Sequence, residues 1–337
     1  VELEVARDRT LVIVGESAAG HGYECVLGAG QAVRIFTGAA LPAGADTIVI
    51  QEDADRQGDH VTVPTSEAGA YIRPAGGDFR AGQPLLAQGT RIDPWRLSLA
   101  ASAGRSEISV HARPRVAIVS TGEEIVEAPA APGPYQIYDS GAPALAAMVE
   151  AWGGVVAKHK PVRDELDAVI EALRTADADL VVTVGGASVG DHDLVRAAAE
   201  ALGLSLKVGS VSVRPGKPTF FGVLGDGRKL LGLPGNPASA FVCAELFLKP
   251  LLTKFQGAAS TFSLASARLI KPLPANGPRE HWMRAKLTYE GGAILAEPYR
   301  DQDSSLVSVF AAADALVRRP GGAPAQAAGD LVDILPL

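Results

Sequence analysis

Aromatic residues are scarce, at 5% of 337 positions, which disfavours a stacking surface for single-stranded nucleic acid. Cysteine is scarcer still. The two thiols, Cys25 and Cys243, stand alone in small-residue or apolar contexts, and neither falls in a CxxC spacing, so a thiolate zinc site is excluded. Both are expected as buried, reduced thiols of a cytosolic protein. No apolar run approaches the ~20 residues of a membrane span, and no signal peptide opens the chain. The six histidines form no HExxH arrangement, and neither a P-loop nor a GxSxG elbow occurs. Positive charge is not in excess: the formal net charge of −7 argues against binding a phosphate backbone by bulk electrostatics. A small anionic substrate remains open, because local donors decide that.

Glycine and proline are plentiful. The 37 Gly and 23 Pro together make about 18% of the chain, against roughly 12% in ordinary proteins, without a collagen period. They belong in turns and backbone-lined sites. The length implies two or three domains.

The first hundred residues read as β-rich. Short β-branched runs at Thr10–Gly15, Ala32–Phe36, Thr47–Gln51 and His60–Val63 are separated by turn clusters such as LPAGAD. Asp93 and Pro94 open a short helix ending near Gly104. From Arg115 the pattern changes to apolar strands alternating with helices. Strands are expected at 116–120, 155–161, 180–184, 206–213 and 230–233, with helices at 141–152, 164–174, 193–202 and 237–255. Glycines at the strand ends indicate a doubly wound parallel sheet, whose ligands sit beyond the carboxyl ends of its strands. After Gly257 short strands return, at 263–270, 283–289, 294–298, 315–318 and in the final LVDIL.

Several loops could carry chemistry, and each has a plainer reading. In Gly185-Gly186-Ala187-Ser188, adjacent glycines let amides approach an anion and Ser188 adds a hydroxyl; mere turn chemistry is the alternative. Asp193 at the next helix is either a cap or a functional carboxylate. Glu123-Glu124 after Gly122 could hold a hard cation or orient a water, or be a solvated turn. Arg214 and Lys217 flank Pro215-Gly216 and cannot easily pair with each other, so they attract an anion or face solvent. Asn236 and Pro237 make a capped helix start that could also serve as an anion site. Asp139 and Ser140 stand before another helix. Arg34 to Gly38 and Arg73 to Asp78 place an Arg, a hydroxyl and a carboxylate in Gly-lined turns, and Ser304 lies in a polar loop.

Taken together, RIFTGAALPAGADTIVIQED (34–53), IRPAGGDFRAGQ (72–83), VSTGEE (119–124), QIYDS (136–140), GGASVGDHD (185–193), RPGKP (214–218) and LPGNPASA (233–240) resemble the MoeA family. These are the molybdopterin molybdenumtransferases, related to the E domain of gephyrin. The resemblance covers essentially the whole chain. It implies a multidomain α/β and β protein, with a central three-layer, doubly wound α/β domain (MogA-like) between a β-rich N-terminal region and a small C-terminal β-barrel. The expected divisions are 1–72, a linker at 73–112, 113–257 and 258–337.

The implied activity is insertion of molybdenum from molybdate into adenylylated molybdopterin, releasing AMP with Mg²⁺, in a cytoplasmic homodimer that binds neither nucleic acid nor membrane. The alternatives are molybdopterin adenylylation, against which the flanking β regions speak, and a non-catalytic scaffold of the gephyrin type, against which the retained acidic and cationic positions speak. Carried onto this sequence, the catalytic positions are Asp78, Glu124, Asp164, Asp193 and Lys217. Glu124, Asp164 and Asp193 are the candidates for Mg²⁺. Thr37, Arg73, Gly185, Gly186, Ser188, Arg214, Pro234, Asn236, Pro237 and Ser304 are the candidates for binding substrate. The resemblance has two departures. The family's upstream MDGYA segment is missing, so a chain that starts after it is expected, and Ser210 stands where the family often has lysine, with Lys207 nearby.

Overall fold

The computed structural model describes residues 8–185, 194–259 and 263–337, in two compact units, Val1–Leu85 and Leu86–Leu337. In the first unit, strands β1 (Arg9–Ser17), β2 (Gln31–Ile35), β3 (Asp55–Gln57) and β4 (His60–Val63) form a sheet in the order β2-β1-β4-β3. The buried Ser17 donates its hydroxyl to Ala40 O at 2.8 Å and fastens the loop after β2. The expected strand at Thr47–Gln51 does not form. Its backbone is held by the 69–70 turn, with Gly69 N donating to Asp46 O and Ile48 N to Ala70 O, and Gln51–Asp53 closes as a 3₁₀ turn. Without a sheet neighbour, β-branched residues do not make a strand.

The second unit opens with helix α1 (Pro94–Ser102). As expected, Pro94 sits in its first turn and the Asp93 carboxylate accepts from Arg96 N at 2.8 Å. The chain continues through β5 (Arg115–Thr121), β6 (Ile125–Val126), β7 (Ile137–Tyr138), α2 (Gly141–Ala151), β8 (Val155–Val162), α3 (Leu166–Thr175), β9 (Leu180–Val184), α4 (Leu194–Ala201) and β10 (Ser205–Val208). Then come β11 (Val213–Arg214), β12 (Phe220–Val223), β13 (Lys229–Leu233) and α5 (Pro237–Cys243), which runs through a π turn (Ala244–Leu248) into α6 (Lys249–Phe255).

Six strands form one sheet in the order β10-β12-β13-β9-β5-β8. The four from β13 to β8 are parallel, and β12 runs antiparallel to both its neighbours, so the sheet is mixed rather than parallel throughout. On one face α2 and the 237–255 helix bury Leu145, Val149, Phe241, Leu248 and Leu252. On the other, α3 and α4 bury Val169, Leu173, Val195 and Ala198. The three layers follow from strands that are apolar on both faces and amphipathic helices that cover them.

The expected strand at 206–213 divides. β10 edges this sheet, whereas β11 pairs in parallel with the C-terminal domain, Val213 opposite Glu280 and Arg214 opposite His281. That domain comprises β14 (Ala265–Leu269), β15 (Glu280–Glu290), β16 (Ala293–Pro298), α7 (Val307–Ala311), β17 (Ala315–Arg319) and β18 (Leu331–Pro336). Its strands pair in the ring β15-β16-β14-β18-β17 and back to β15, a closed five-stranded barrel. Ala285, Leu287, Ala296, Val317 and Ile334 fill the interior. The outward-facing Trp282, Leu316 and Leu335 pack against Val242 of α5 and Leu246 of the π turn, docking the barrel on the α/β domain.

Two consequences are measurable. Asp139 Oδ1 accepts from Gly141 N and Ala142 N at 3.0 Å each, capping α2. Asp139→Ala should therefore lower unfolding stability by about 1–2 kcal/mol in urea titrations. His281, only 8% exposed, has its imidazole pushed down to about 4 by burial, and then by the charges of Arg214, Arg284, Arg319 and Arg279. An unfolded chain binds that proton near pH 6.5 and the folded one only near 4. Stability contributed by neutral His281 is thus complete above about 6.5 and is lost as pH falls toward 4, by up to about 3 kcal/mol. The difference in urea stability between wild type and His281→Gln should shrink over that window and stay flat above it.

Candidate active site at the carboxyl ends of the central strands

The parallel strands end together. Val184 lies in register with Ser120 on one side and Leu233 on the other, and Thr121 is in register with Val162. The chain leaves β5 and β9 for opposite faces of the sheet, so their junction is the topological switch point where such sheets bind ligands. The backbones there are in contact. Gly185 has φ +90°, and a Cβ on it would meet Thr121 O at 2.5 Å; one on Gly235 would meet Gly185 Cα at 3.3 Å. Among the described residues the buried hydroxyls of Thr121 and Thr183 have no hydrogen-bond partner.

Around this junction stand several of the expected residues. Glu124 is exposed in the turn after β5, its carboxylate folded over Gly122, where a Cβ would come within 2.7 Å of Oε2. Asp164 is exposed just after β8, the neighbouring strand. Buried Pro234 follows β13, and Pro237 opens α5. Gly186, Ser188 and Asp193 lie outside the described residues, so the glycine loop is represented by Gly185. The β6–β7 pair flanks Glu124, with Ile137 N donating to Glu124 O at 2.7 Å and Gln136 Nε2 to Glu123 O at 3.2 Å.

Asn236 does not cap α5 with its side chain. Its amide donates instead to Ser304 Oγ at 2.8 Å, while Ser304 O accepts from Ala238 N at 3.1 Å. A serine from the barrel thus completes the helix start, which joins Ser304 to the site but occupies one of the amides expected to meet an anion. The same loop covers a residue that the sequence reading missed. Arg284 is 1% exposed; it donates through Nη1 to Asp303 O at 2.9 Å and through Nε to Gln302 Oε1 at 3.2 Å, and its Nη2 has no partner among the described residues. Guanidinium keeps its charge when buried, so this N–H is an unused donor for an anion. An arginine on a strand carries no local signal of this role; only the barrel's closure and the 301–304 loop create it.

Arg214 and Lys217 occupy an exposed turn that is closed by Val211 N to Lys217 O and Thr219 N to Gly216 O. Neither cation has an ion-pair partner among the described residues. The barrel holds the turn from its other side, Glu280 N donating to Ser212 O at 3.0 Å and Arg279 Nη1 to Val213 O at 3.4 Å. In the first unit, Arg73 and Asp78 line one pocket of about 600 Å³ with Pro74, Gly76, Gly77 and Phe79. Thr37 is exposed beside the turn at Gly38 and is not among that pocket's lining residues. Of the two thiols, Cys243 is buried as expected, whereas Cys25 is exposed in a loop with no core around it. Among the described residues no His, Cys, Asp and Glu side chains converge in threes as a metal cage, and no helix is long and apolar enough to cross a membrane.

Comparison with known proteins covers nearly the whole chain. Residues 3–104 match the MoeA N-terminal region (domain I and II), 117–254 a probable molybdopterin binding domain, and 266–337 the MoeA C-terminal region (domain IV). The molybdopterin molybdenumtransferase of Staphylococcus epidermidis is 31% identical over 327 residues, 96% of this chain and 78% of that protein. The protein of that name from Nostoc sp. is 36% identical over 287 residues, 82% and 65% of the two chains. The crystal structure of a molybdopterin biosynthesis MoeA protein from Pyrococcus horikoshii superposes with a TM-score of 0.80 at 30% identity, covering 98% of this chain and 81% of that one. The chain belongs to the MoeA family of molybdopterin molybdenumtransferases.

Proposed function

We propose that this chain inserts molybdenum into adenylylated molybdopterin and releases AMP. The observation that carries this reading is the convergence at one end of the sheet of the Glu124 turn, the Asp164 turn, Gly185 and the Asn236 helix start, with Ser304 supplied by the barrel. Adenylylation is disfavoured, because the regions matched to MoeA lie on both sides of the molybdopterin-binding segment.

The residues divide by charge. Glu124 and Asp164 are exposed carboxylates just beyond the ends of neighbouring strands, suited to orienting water at a phosphate and to accepting its proton. Mg²⁺ is commonly held by one or two carboxylates together with substrate phosphates, and two exposed carboxylates on neighbouring strand ends fit that donor set without a protein cage. Bound there, with Asp193 as a third candidate, Mg²⁺ would neutralise phosphate oxygens. Arg214, Lys217 and the free Nη2 of Arg284 supply donors for phosphate or molybdate oxygens. Gly185, with Gly186 and Ser188, and the Pro234–Pro237 turn would shape the phosphate cradle. Thr37, Arg73 and Asp78, in the β-rich unit, are further candidates for binding substrate. Dependence on Mg²⁺, a homodimeric state and a cytoplasmic location belong to the same proposal.

With purified protein, AMP should appear from adenylylated molybdopterin only when molybdate is added; AMP release indifferent to molybdate would overturn the reading. Glu124→Gln should lower kcat by at least about a hundredfold while leaving the urea midpoint unchanged, since the side chain is exposed. Wild-type turnover by that variant would remove Glu124 from the chemistry.

A further inference from the structure

Neither Arg214 nor Lys217 has an ion-pair partner among the described residues, so both follow the backbone of their turn, which the barrel holds from one side. The turn in turn rests on two side chains that the chemistry above does not use. Thr219, 2% exposed, donates its hydroxyl to Gly216 O at 2.8 Å, and the same oxygen lies 3.1 Å from Cys243 Sγ. Gly216 has φ +129°, and a Cβ there would fall 2.2 Å from Cys243 Sγ, so the turn's backbone is seated directly on the thiol. Cys243 is the last residue of α5, whose first turn follows Asn236 and its contact with Ser304. Seven residues of helix span about 10 Å. The Thr219–Cys243 contact therefore fixes the cation turn to the same short rod that opens at the other end of the site.

Behind Thr219 lies an apolar cavity of about 440 Å³, walled by Val208, Phe221, Leu231, Phe247 and Leu251 among others, in which Thr219 is the only polar side chain. Apart from Thr219 the lining offers a water no polar side chain, so water would be a poor replacement for a deleted hydroxyl. Burial pushes the Cys243 thiol up to about 12, so it stays protonated and is neither nucleophile nor metal ligand. Its contribution is shape and a hydrogen-bonding contact.

We propose that Thr219 and Cys243 are positioning residues that set the enzyme's affinity for its oxoanion by fixing where Arg214 and Lys217 stand. This rests on the reading of their turn as the oxoanion-binding element. The hydroxyl is the part to remove. In the full-length protein, Thr219→Val should raise the KM for molybdate roughly tenfold, with kcat within about threefold of wild type, as expected for a small displacement of binding groups. Thr219→Ser, which keeps the hydroxyl, should restore the wild-type KM. Equilibrium dialysis against molybdate alone should show the same loss and rescue of affinity. In a Lys217→Ala background, Thr219→Val should cost less affinity than it does in wild type, because part of its effect acts through Lys217 and the rest through Arg214.

Wild-type molybdate affinity in Thr219→Val, a loss confined to kcat and melting temperature, or full additivity with Lys217→Ala would each overturn the proposal. The dialysis arm keeps it separate from the transferase reading. If wild type binds molybdate but releases no AMP, the activity assignment fails, while the positioning role stands or falls on the Thr219 variants. If wild type binds no molybdate, the positioning role falls.

Discussion

The approach of Gly185 to the carbonyl of Thr121 is the constraint on which the site is built. Two parallel strands end side by side and send the chain to opposite faces of the sheet. The gap between them closes until only a residue without a side chain fits, at a φ that favours glycine. Gly235 stacks against the same backbone from β13. Three chain segments therefore leave the sheet from almost one point, and the groups they carry need little reach to meet. The Glu124 turn, the capped start of α2 and the Asn236 helix start all inherit their positions from this contact.

A second constraint is electrostatic. The chain is acidic overall, yet His281 is held neutral by its burial and, beyond that, by the charges of Arg214, Arg284, Arg319 and Arg279. Like charges are brought together only where the scaffold enforces it, here by barrel closure, by backbone carbonyls that accept from Arg284 and Arg319, and by the pairing of Glu280 with Arg318. Such a concentration of guanidinium attracts oxoanions even on a protein of net negative charge.

Local chemistry made much of this legible in the sequence. Apolar strands ending in glycine, the Asp93-Pro94 helix start and the Pro-Gly turns mark their elements without tertiary help. Non-local pairing was not legible. Nothing in residues 205–214 says that β10 edges one sheet while β11 joins another, because the difference is made by Glu280 and His281, some seventy positions on. TIVIQ has the composition of a strand but finds no partner. Asn236 has the right identity for a cap, yet Ser304 offers it a better-placed hydroxyl. Arg284 becomes a candidate site residue only when the barrel and the 301–304 loop bury it. The motifs that mark the family are mostly backbone devices, which is why turn residues revealed the site more fully than charged ones did.

The two-residue strand β11 divides ownership of the site. The carboxylates and the glycine junction belong to the α/β domain and need nothing outside it. The cation turn is hydrogen-bonded to β15, and Ser304 and Arg284 are carried by the barrel itself. A three-layer domain cut free of its barrel would keep the exposed carboxylates Glu124 and Asp164 and lose the hydrogen bonds that frame the Arg214–Lys217 turn. On the proposed reading, anion capture would be a property of two domains held in register, and any motion of the barrel against the α5 helix would be felt first as a change in oxoanion affinity.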